Sequence, residues 1–315
     1  PEAVAKRRKL GRRTARENIA DLCDEGSFDE YGGLAIAAQR LRRPVEELIE
    51  RTPADGMVCG VGSVNGDLFD GPSARCVAMS YDYTVLAGTQ GVRNHRKTDR
   101  MIELAERQLL PIVLFAEGGG GRPGDTDQSE LFHLVVPTFR NFAGLSGLVP
   151  RVGIASGRCF AGNAALLGCC DVVIATPEAT IGMGGPAMIE GGGLGTFAPE
   201  EVGPAADLDR AGVIDVLAAD EAEAVTAAKQ FLAFFQGDCA EWTAAEQERL
   251  REIVPADPKR VHDMRAVVEG LFDTGSVLEL RGGWGKAMIT ALARIEGRPV
   301  GIVANDPSHL SGAID

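Results

Sequence analysis

Aromatic residues make up only 5% of this chain of 315 residues, and histidine occurs four times. No apolar run approaches the roughly 18 residues that a bilayer span needs, so a transmembrane helix is excluded. The net charge is −13, which argues against general nucleic-acid binding. The seven cysteines are odd in number, lie in apolar contexts and form no C-x-x-C pair, although Cys169 and Cys170 are adjacent. They read as buried reduced thiols, and a zinc ribbon is excluded. No cluster has metal-ligand spacing. None of His95, His133, His262 and His309 stands beside a Ser or Cys in a nucleophile-elbow pattern, and Ser156-Gly157 is not a G-x-S-x-G element. His95 sits in the basic stretch Arg93-Asn94-His95-Arg96-Lys97 and reads as a surface residue. The chain opens on Pro1 rather than Met, and no secretory leader is in view.

What is abundant is glycine: 40 residues, about twice the usual share of roughly 7%. The excess is clustered, as for tight turns and close backbone approaches. Four consecutive glycines, Gly118–Gly121, end the apolar segment PIVLFAEGGGGRPGD. A strand followed by a glycine loop recurs in VGIASGRCFAGNAALLG (Val152–Gly168), and a third loop runs Gly182-Met183-Gly184-Gly185-Pro186-Ala187-Met188. The first loop is followed by Arg122-Pro123, so it lacks the G-K-[ST] of a P-loop and fits a dinucleotide fingerprint poorly. An oxyanion hole needs only two backbone N–H groups from separate rigid loops. Gly120 or Gly121 could supply one, Ala161 or Gly162 the other. A purely structural turn is the competing reading, and on the residues alone both stay open. The third loop could approach a bound acyl group or simply connect core elements.

The rest of the chain reads as α/β with repeated ββα units. The first sixteen residues crowd Lys6, Arg7, Arg8, Lys9, Arg12, Arg13 and Arg16, and Thr14-Ala15-Arg16-Glu17 is a capping box. This arm is either a solvated helix face or a contact for a polyanionic ligand. Pro44 is placed to start a helix through Val45–Arg51. Strands are predicted over Met57–Val64, Arg75–Tyr81, Ile112–Ala116, Arg151–Ala155, Asp171–Ala175, Asp215–Ala218, Ile289–Ile295 and Val300–Ala304. Helices are predicted over Val92–Leu110, Ser129–Leu145, Ala161–Leu167, Glu221–Phe235 and Val261–Phe272. Asn65-Gly66 is a two-residue hairpin signal, and Pro255-Ala-Asp-Pro258 a hinge.

Taken in order, several segments resemble the carboxyltransferases of biotin-dependent acyl-CoA carboxylases, within the crotonase superfamily. They are Arg7-Arg8-Lys9-Leu10 with Thr14–Glu17, Gly26-Ser27-Phe28, Ser80-Tyr81-Asp82-Tyr83-Thr84-Val85, Gly119-Gly120-Gly121-Arg122, Gly157–Ala164, Met183–Pro186, and Gly297–Asn305 with Gly312–Asp315. Single motifs are weak; their order and spacing through almost the whole chain carry the likeness.

The resemblance implies a crotonase fold with an N-terminal helical arm. Residues 1–25 would form the arm, 52–260 the crotonase-like core, and 261–315 a C-terminal helix and hairpin tail leading to a second half. It implies acyl-CoA as substrate and carboxybiotin, on a separate carrier protein or domain, as carboxyl donor. Gly120, Gly121, Ala161 and Gly162 would stabilise the thioester enolate. Arg8, Lys9, Arg12, Arg16, Gly119, Arg122, Cys159 and Phe160 would contact CoA, and Gly184, Gly185 and Pro186 would lie near the biotin. No metal is implied. The implied partners are a biotin carboxyl carrier, a biotin carboxylase, the carboxyltransferase C-terminal half and further copies of the chain as a dimer-based oligomer, in the cytoplasm. Some positions depart from the family, which usually has a small residue other than Gly at Gly121 and an aliphatic residue at Pro123. The acid expected soon after the first loop is displaced, with Asp125 and Asp127 as candidates. Cys159–Asn163 has the general crotonase form rather than the commonest carboxylase form. Decarboxylation of malonyl-type CoA thioesters and a non-catalytic CoA-binding or scaffold role are the alternatives.

Overall fold

The computed structural model describes residues 2–127, 136–257 and 259–313. Two helices open it, α1 (Glu2–Lys9) and α2 (Ala15–Leu22), the second behind the expected capping box: Thr14 accepts from the Glu17 N–H, and Glu17 reaches back to the Thr14 N–H at 2.7 Å. β1 (Asp29–Glu30) and α3 (Val45–Arg51) lead to β2 (Met57–Ser63), α4 (Gly71–Ala74) and β3 (Arg75–Tyr81). Then follow α5 (Val92–Gln108), β4 (Ile112–Phe115), α6 (Thr138–Gly144), β5 (Arg151–Ala155), β6 (Arg158–Phe160), α7 (Gly162–Leu167), β7 (Val172–Ala175) and β8 (Thr180–Gly182). The chain continues with α8 (Pro186–Gly191), α9 (Ala205–Arg210), β9 (Val216–Leu217), α10 (Glu221–Gln236), α11 (Leu250–Ile253) and α12 (Met264–Leu271). It closes with β10 (Leu278–Leu280), β11 (Met288–Ile295) and β12 (Arg298–Asn305).

The main sheet has seven strands in the order β1-β2-β3-β4-β5-β7-β9. β1, β2 and β3 pair antiparallel, and β3 through β9 run parallel. Its central strands are continuously apolar because both faces are covered. The two-residue period divides them cleanly: Val77, Met79, Ile112, Leu114 and Val173 pack with α5 residues Met101, Ile102 and Ala105 on one face. Ala78, Val113, Phe115, Val152, Ile154 and Ile174 pack with α2 and with Val225, Ala228, Phe231 and Leu232 of α10 on the other. A short parallel sheet, β6-β8, branches from the ends of β5 and β7. Strand, branching strand and helix thus repeat, as the sequence predicts, and this is the crotonase fold. The tail is a three-stranded antiparallel sheet, β10-β11-β12, packed with Val268 and Phe272 of the α12 region; β10 is only three residues long and gave no sequence signal.

Some expectations need correction. Asn65-Gly66 does not close a two-residue hairpin. β2 and β3 do pair as neighbours, but residues 64–74 connect them. Asn65 takes a left-handed φ of 61° and donates to Lys229 O and Gln236 Oε1, fastening the connection to α10. His95 is not a surface residue: it is buried on α5. The helix predicted over Ser129–Leu145 is observed from Thr138, and residues 128–135, with His133, lie outside the described residues, as does Pro258 of the predicted hinge. Among the described residues no helix is long and apolar enough to cross a membrane.

Candidate functional site

The first glycine loop leaves the carboxyl end of β4, and the second joins β6 to α7. β4 pairs parallel with β5, and a parallel bridge between Gly118 and Cys159 puts the two loops side by side at the carboxyl ends of the strands, the usual place for a site in an open parallel sheet. The loops touch: a Cβ on Gly120 would lie 2.6 Å from Ala161 Cβ and 3.5 Å from Gly162 N. The third loop joins them through the β6–β8 pairing, with Ala161 N–H donating to Gly182 O at 3.0 Å and Gly185 lying against the Phe160 ring.

The backbone donors can be accounted for one by one. Gly118 N–H donates to Arg158 O at 2.7 Å, Gly119 N–H to Ala87 O at 3.2 Å, and Gly120 N–H to Asn163 Oδ1 at 3.0 Å. Ala161 N–H is taken by Gly182 O, as above. Among the described residues, the N–H groups of Gly121 and Gly162 have no protein acceptor. Gly121 is exposed and Gly162 half-buried. Of the four candidate donors, two are therefore committed inside the protein and two are open to a ligand.

Ala161, next to Gly162, holds φ 51° and ψ −120°, a conformation that costs a non-glycine residue of order 1–3 kcal/mol and persists only where the surroundings impose it. Gly162 itself is a close approach, since a Cβ there would meet Gln90 Oε1 at 2.1 Å. Gln90 is 2% exposed and stands between the loops. Its N–H donates to Gly120 O at 2.7 Å, its carbonyl accepts from Arg122 N–H at 2.9 Å, and its Nε2 donates to Tyr81 Oη at 2.9 Å.

Charged residues brace the first loop at both ends. Glu117, immediately before the glycines, accepts from Arg7 of α1 at 2.5 Å, and Arg12 stands 3.5 Å away. Arg7 also faces Glu221 of α10 at 3.6 Å. At the other end Arg122 is inside the protein, its side chain 4% exposed. It pairs with Asp55 and lies 3.6 Å from Asp125, and it donates to Thr89 O at 2.8 Å. Asp55 and Asp125 in turn accept from the N–H groups of Asn94 and Val92 in the first turn of α5, at 2.7 and 3.0 Å. Arg122 is thereby a support of the loop rather than part of its surface. Cys159 is likewise fully buried, its thiol pushed well up by desolvation, and Phe160 is 6% exposed.

The arm's cations are largely matched by carboxylates. Arg8 pairs with Glu17 at 2.7 Å, and Arg16 holds Glu30 at 2.7 and 3.0 Å. Lys9 is exposed and has no partner among the described residues. Glu117, Asp55 and Gln90 were not singled out from sequence, and Arg7 and Asn163 entered only as members of motifs, with no role assigned. A carboxylate closing an apolar strand, as Glu117 does, was the available signal, because such a group needs a buried partner. Among the described residues no group of three or more His, Cys, Asp or Glu side chains could hold a metal ion.

Two glycine loops in contact on a crotonase-type core, each with an open backbone donor, make up the candidate site. The carboxyl transferase domain matches residues 6–315, and the chain belongs to that family. It is 33% identical to the methylmalonyl-CoA carboxyltransferase 12S subunit of Propionibacterium freudenreichii subsp. shermanii, over 99% of this chain and 59% of that protein. It is 34% identical to the biotin-dependent long chain acyl-coenzyme A carboxylase beta4 subunit of Mycobacterium tuberculosis, over 100% of this chain and 59% of that one. The chain thus spans 59% of the length of these curated relatives. Among solved structures, it is similar to a single-chain, multi-domain long-chain acyl-CoA carboxylase, with a TM-score of 0.96 and 60% identity, covering 100% of this chain and 31% of that chain. The transcarboxylase 12S hexamer, solved with hydrolysed methylmalonyl-CoA bound, superposes with a TM-score of 0.82 at 31% identity, over 100% of this chain and 61% of that chain.

Proposed function

We propose that this chain is the acyl-CoA-binding, enolate-stabilising half of an acyl-CoA carboxyltransferase. The observation that carries the reading is the pair of N–H groups on Gly121 and Gly162, without acceptors among the described residues, on two loops in contact. Loss of the proton alpha to a thioester moves charge onto the carbonyl oxygen. Two preorganised donors favour that state over the ground state, each by on the order of 3 kcal/mol. Gly120 and Ala161 serve the hole by holding its shape, since their own N–H groups are committed. Gly119, exposed beside the donors, and the loop Gly184–Pro186, lying against Phe160, are the surfaces that the acyl-pantetheine end and the carboxyl donor would reach. Lys9, exposed and without a partner among the described residues, is the arm residue we assign to the CoA phosphates, with Arg8, Arg12 and Arg16 sharing their charge with carboxylates.

Carboxybiotin, arriving on a carrier charged by a biotin carboxylase, supplies CO₂ and a ureido nitrogen able to take the alpha proton. This chain's part is to bind the thioester, hold its carbonyl in the two donors and keep the alpha carbon in one orientation. In this reading it works in the cytoplasm with a C-terminal half and as a dimer-based homo-oligomer; the similar transcarboxylase 12S protein is a hexamer.

The test offers the intact protein a carboxylated biotin carrier and a set of acyl-CoAs, and in parallel methylmalonyl-CoA and malonyl-CoA alone. Carboxyl transfer that needs the carrier supports the reading. Carrier-independent loss of CO₂ from the malonyl-type thioesters would assign decarboxylation to the same hole, and CoA binding without either reaction would make the chain a scaffold.

A further inference from the structure

Asn163 is fully buried on the first turn of α7, next to Gly162, and nothing in the proposed chemistry uses it. Its Oδ1 accepts from Gly120 N–H at 3.0 Å, and its Nδ2 donates to Gly88 O at 3.3 Å. It therefore crosses from the second loop to the first and joins the immediate neighbours of the two open donors. The first loop leaves room for it: a Cβ on Gly118 would lie 2.3 Å from Asn163 Nδ2. Gly120 is held from both sides, its N–H by Asn163 and its carbonyl by Gln90 N–H at 2.7 Å. The peptide unit is planar and trans, so the Gly120 carbonyl and the Gly121 N–H point in opposite directions. Fixing one fixes the aim of the other. The same holds across the Ala161–Gly162 peptide, whose carbonyl accepts from Ala165 N–H at 2.9 Å inside α7.

Resting on the enolate-hole reading above, we infer that Asn163 is a positioning residue that sets the separation and aim of the Gly121 and Gly162 donors. It touches no reacting atom. Without its carboxamide the Gly120 N–H loses its partner, the Gly119–Gly120 peptide is free to rotate, and the aim of the Gly121 donor hangs on the single contact of Gln90 with the Gly120 carbonyl, while the second loop stays fixed by α7.

The readout is the carbonyl stretch of ¹³C=O-labelled acetyl-CoA and palmitoyl-CoA bound to the intact protein, followed by isotope-edited infrared difference spectroscopy. Hydrogen bonds to the carbonyl oxygen lower that frequency. With the wild-type protein the band moves down on binding. Asn163→Leu keeps the acyl-CoA Kd within about threefold, loses most of the downshift and lowers kcat by about tenfold or more, with KM little changed. Gly121→Pro removes one donor at a position where a side chain meets open space, so it causes a comparable loss. Combined with it, Asn163→Leu adds little, because both act on the same donor.

A full downshift and full kcat in Asn163→Leu would overturn the inference and leave the hole standing. So would additive losses in the double variant, or a Kd that rises in step with falling kcat, since each marks a general structural role. Should Asn163→Leu not fold, Asn163→Ser, too short to reach Gly120, is read the same way, and failure of both to fold makes the residue structural. A wild-type protein that binds acyl-CoA with no downshift defeats the hole itself, and one that binds none removes both ideas together.

Discussion

The loop after β4 is braced by charge at its flanks and by the amides of Gln90 and Asn163 at Gly120, whereas the loop after β6 is set by a strained turn and close packing. Gly118–Gly121 has no side chains with which to pack, so its position is imposed from its flanks, by Arg7 on Glu117 and by Asp55 on Arg122. The second loop sits at a strand–helix junction and is closed by packing of Gly162 against Gln90 and Phe139, by Ala161 at a φ of 51° and by the bond from Ala161 N–H to Gly182 O. The difference teaches what each can tolerate. A charge-braced loop accepts added atoms at an exposed glycine but not the loss of an ion-pair partner. A tightly packed loop is indifferent to charge at a distance and intolerant of a single methyl group.

The largest effect is expected at Gly162. In Gly162→Val the Cβ would meet Gln90 Oε1 at 2.1 Å and Phe139 Cζ at 3.1 Å. Gln90 is buried and holds the first loop as well, so both donors are displaced. We expect turnover in the carrier-dependent assay to fall by about a hundredfold or more, while Gly121→Ala, into open space, stays close to wild type. Equal activities in the two variants would erase the contrast between the loops.

Next comes the charge brace. Arg122→Leu leaves Asp55 and Asp125 buried without their cation, and removing one member of a buried pair costs about 3–5 kcal/mol. Urea unfolding measures it. Replacing Asp55 by Leu as well should restore part of the loss, because no lone charge then remains at that contact. A double variant no better than Arg122→Leu would mean that Asp125 alone decides the cost.

A titration separates the regions further. His95, beside the Arg122 cluster, is buried on α5. Its pKa is lowered to about 4 by burial first and by the nearby Arg122 charge second. Thr138 Oγ1 donates to Asp99, so His95 Nδ1 carries the hydrogen and donates to Thr138 at 3.0 Å. The sign follows from linkage. The unfolded chain binds the proton below about 6.5 and the native protein only below about 4, so stability is lost as the pH falls through that window. We expect a loss of a few kcal/mol between those limits, absent in His95→Gln. A pH profile unchanged by that substitution would move the sensitivity elsewhere.

Much of this was legible before any coordinates. Alternation and turn residues placed β3 and β5 to the residue, and the capping box at Thr14–Glu17 stands as written. The glycine pattern found both loops. Which N–H groups remain open was not legible, because that depends on Asn163, Gln90 and Gly182, contacts between segments distant in sequence. His95 was misread for a related reason: a basic run of five residues looks solvated, yet α5 turns Asn94, His95 and Lys97 inward, where Lys97 donates to Ala54 O at 2.9 Å. The arm was read by its charge count, and the count does not reveal that Arg7 points into the core while Arg16 lies along the surface with Glu30.

That last contrast gives the smallest expected effect. Arg16 and Lys9 carry the same charge, but Arg16 already donates twice to Glu30, and the pair's net charge is zero. An incoming CoA phosphate gains little from a cation whose field is cancelled a few ångströms away. Lys9 has no such partner among the described residues and keeps its full charge for an anion. Exposed charges act through water and salt, so the effect is modest, about 0.2–1 kcal/mol. We expect Lys9→Ala to weaken acyl-CoA binding by about two- to fivefold at low ionic strength, with the difference fading in high salt and the unfolding midpoint unmoved. Arg16→Ala should change affinity less, because it frees Glu30 as it removes a cation and because the pair is matched at the start. If calorimetry instead finds Arg16→Ala the more damaging, the Glu30 pair opens on binding, and the arm holds CoA with residues that it masks when empty.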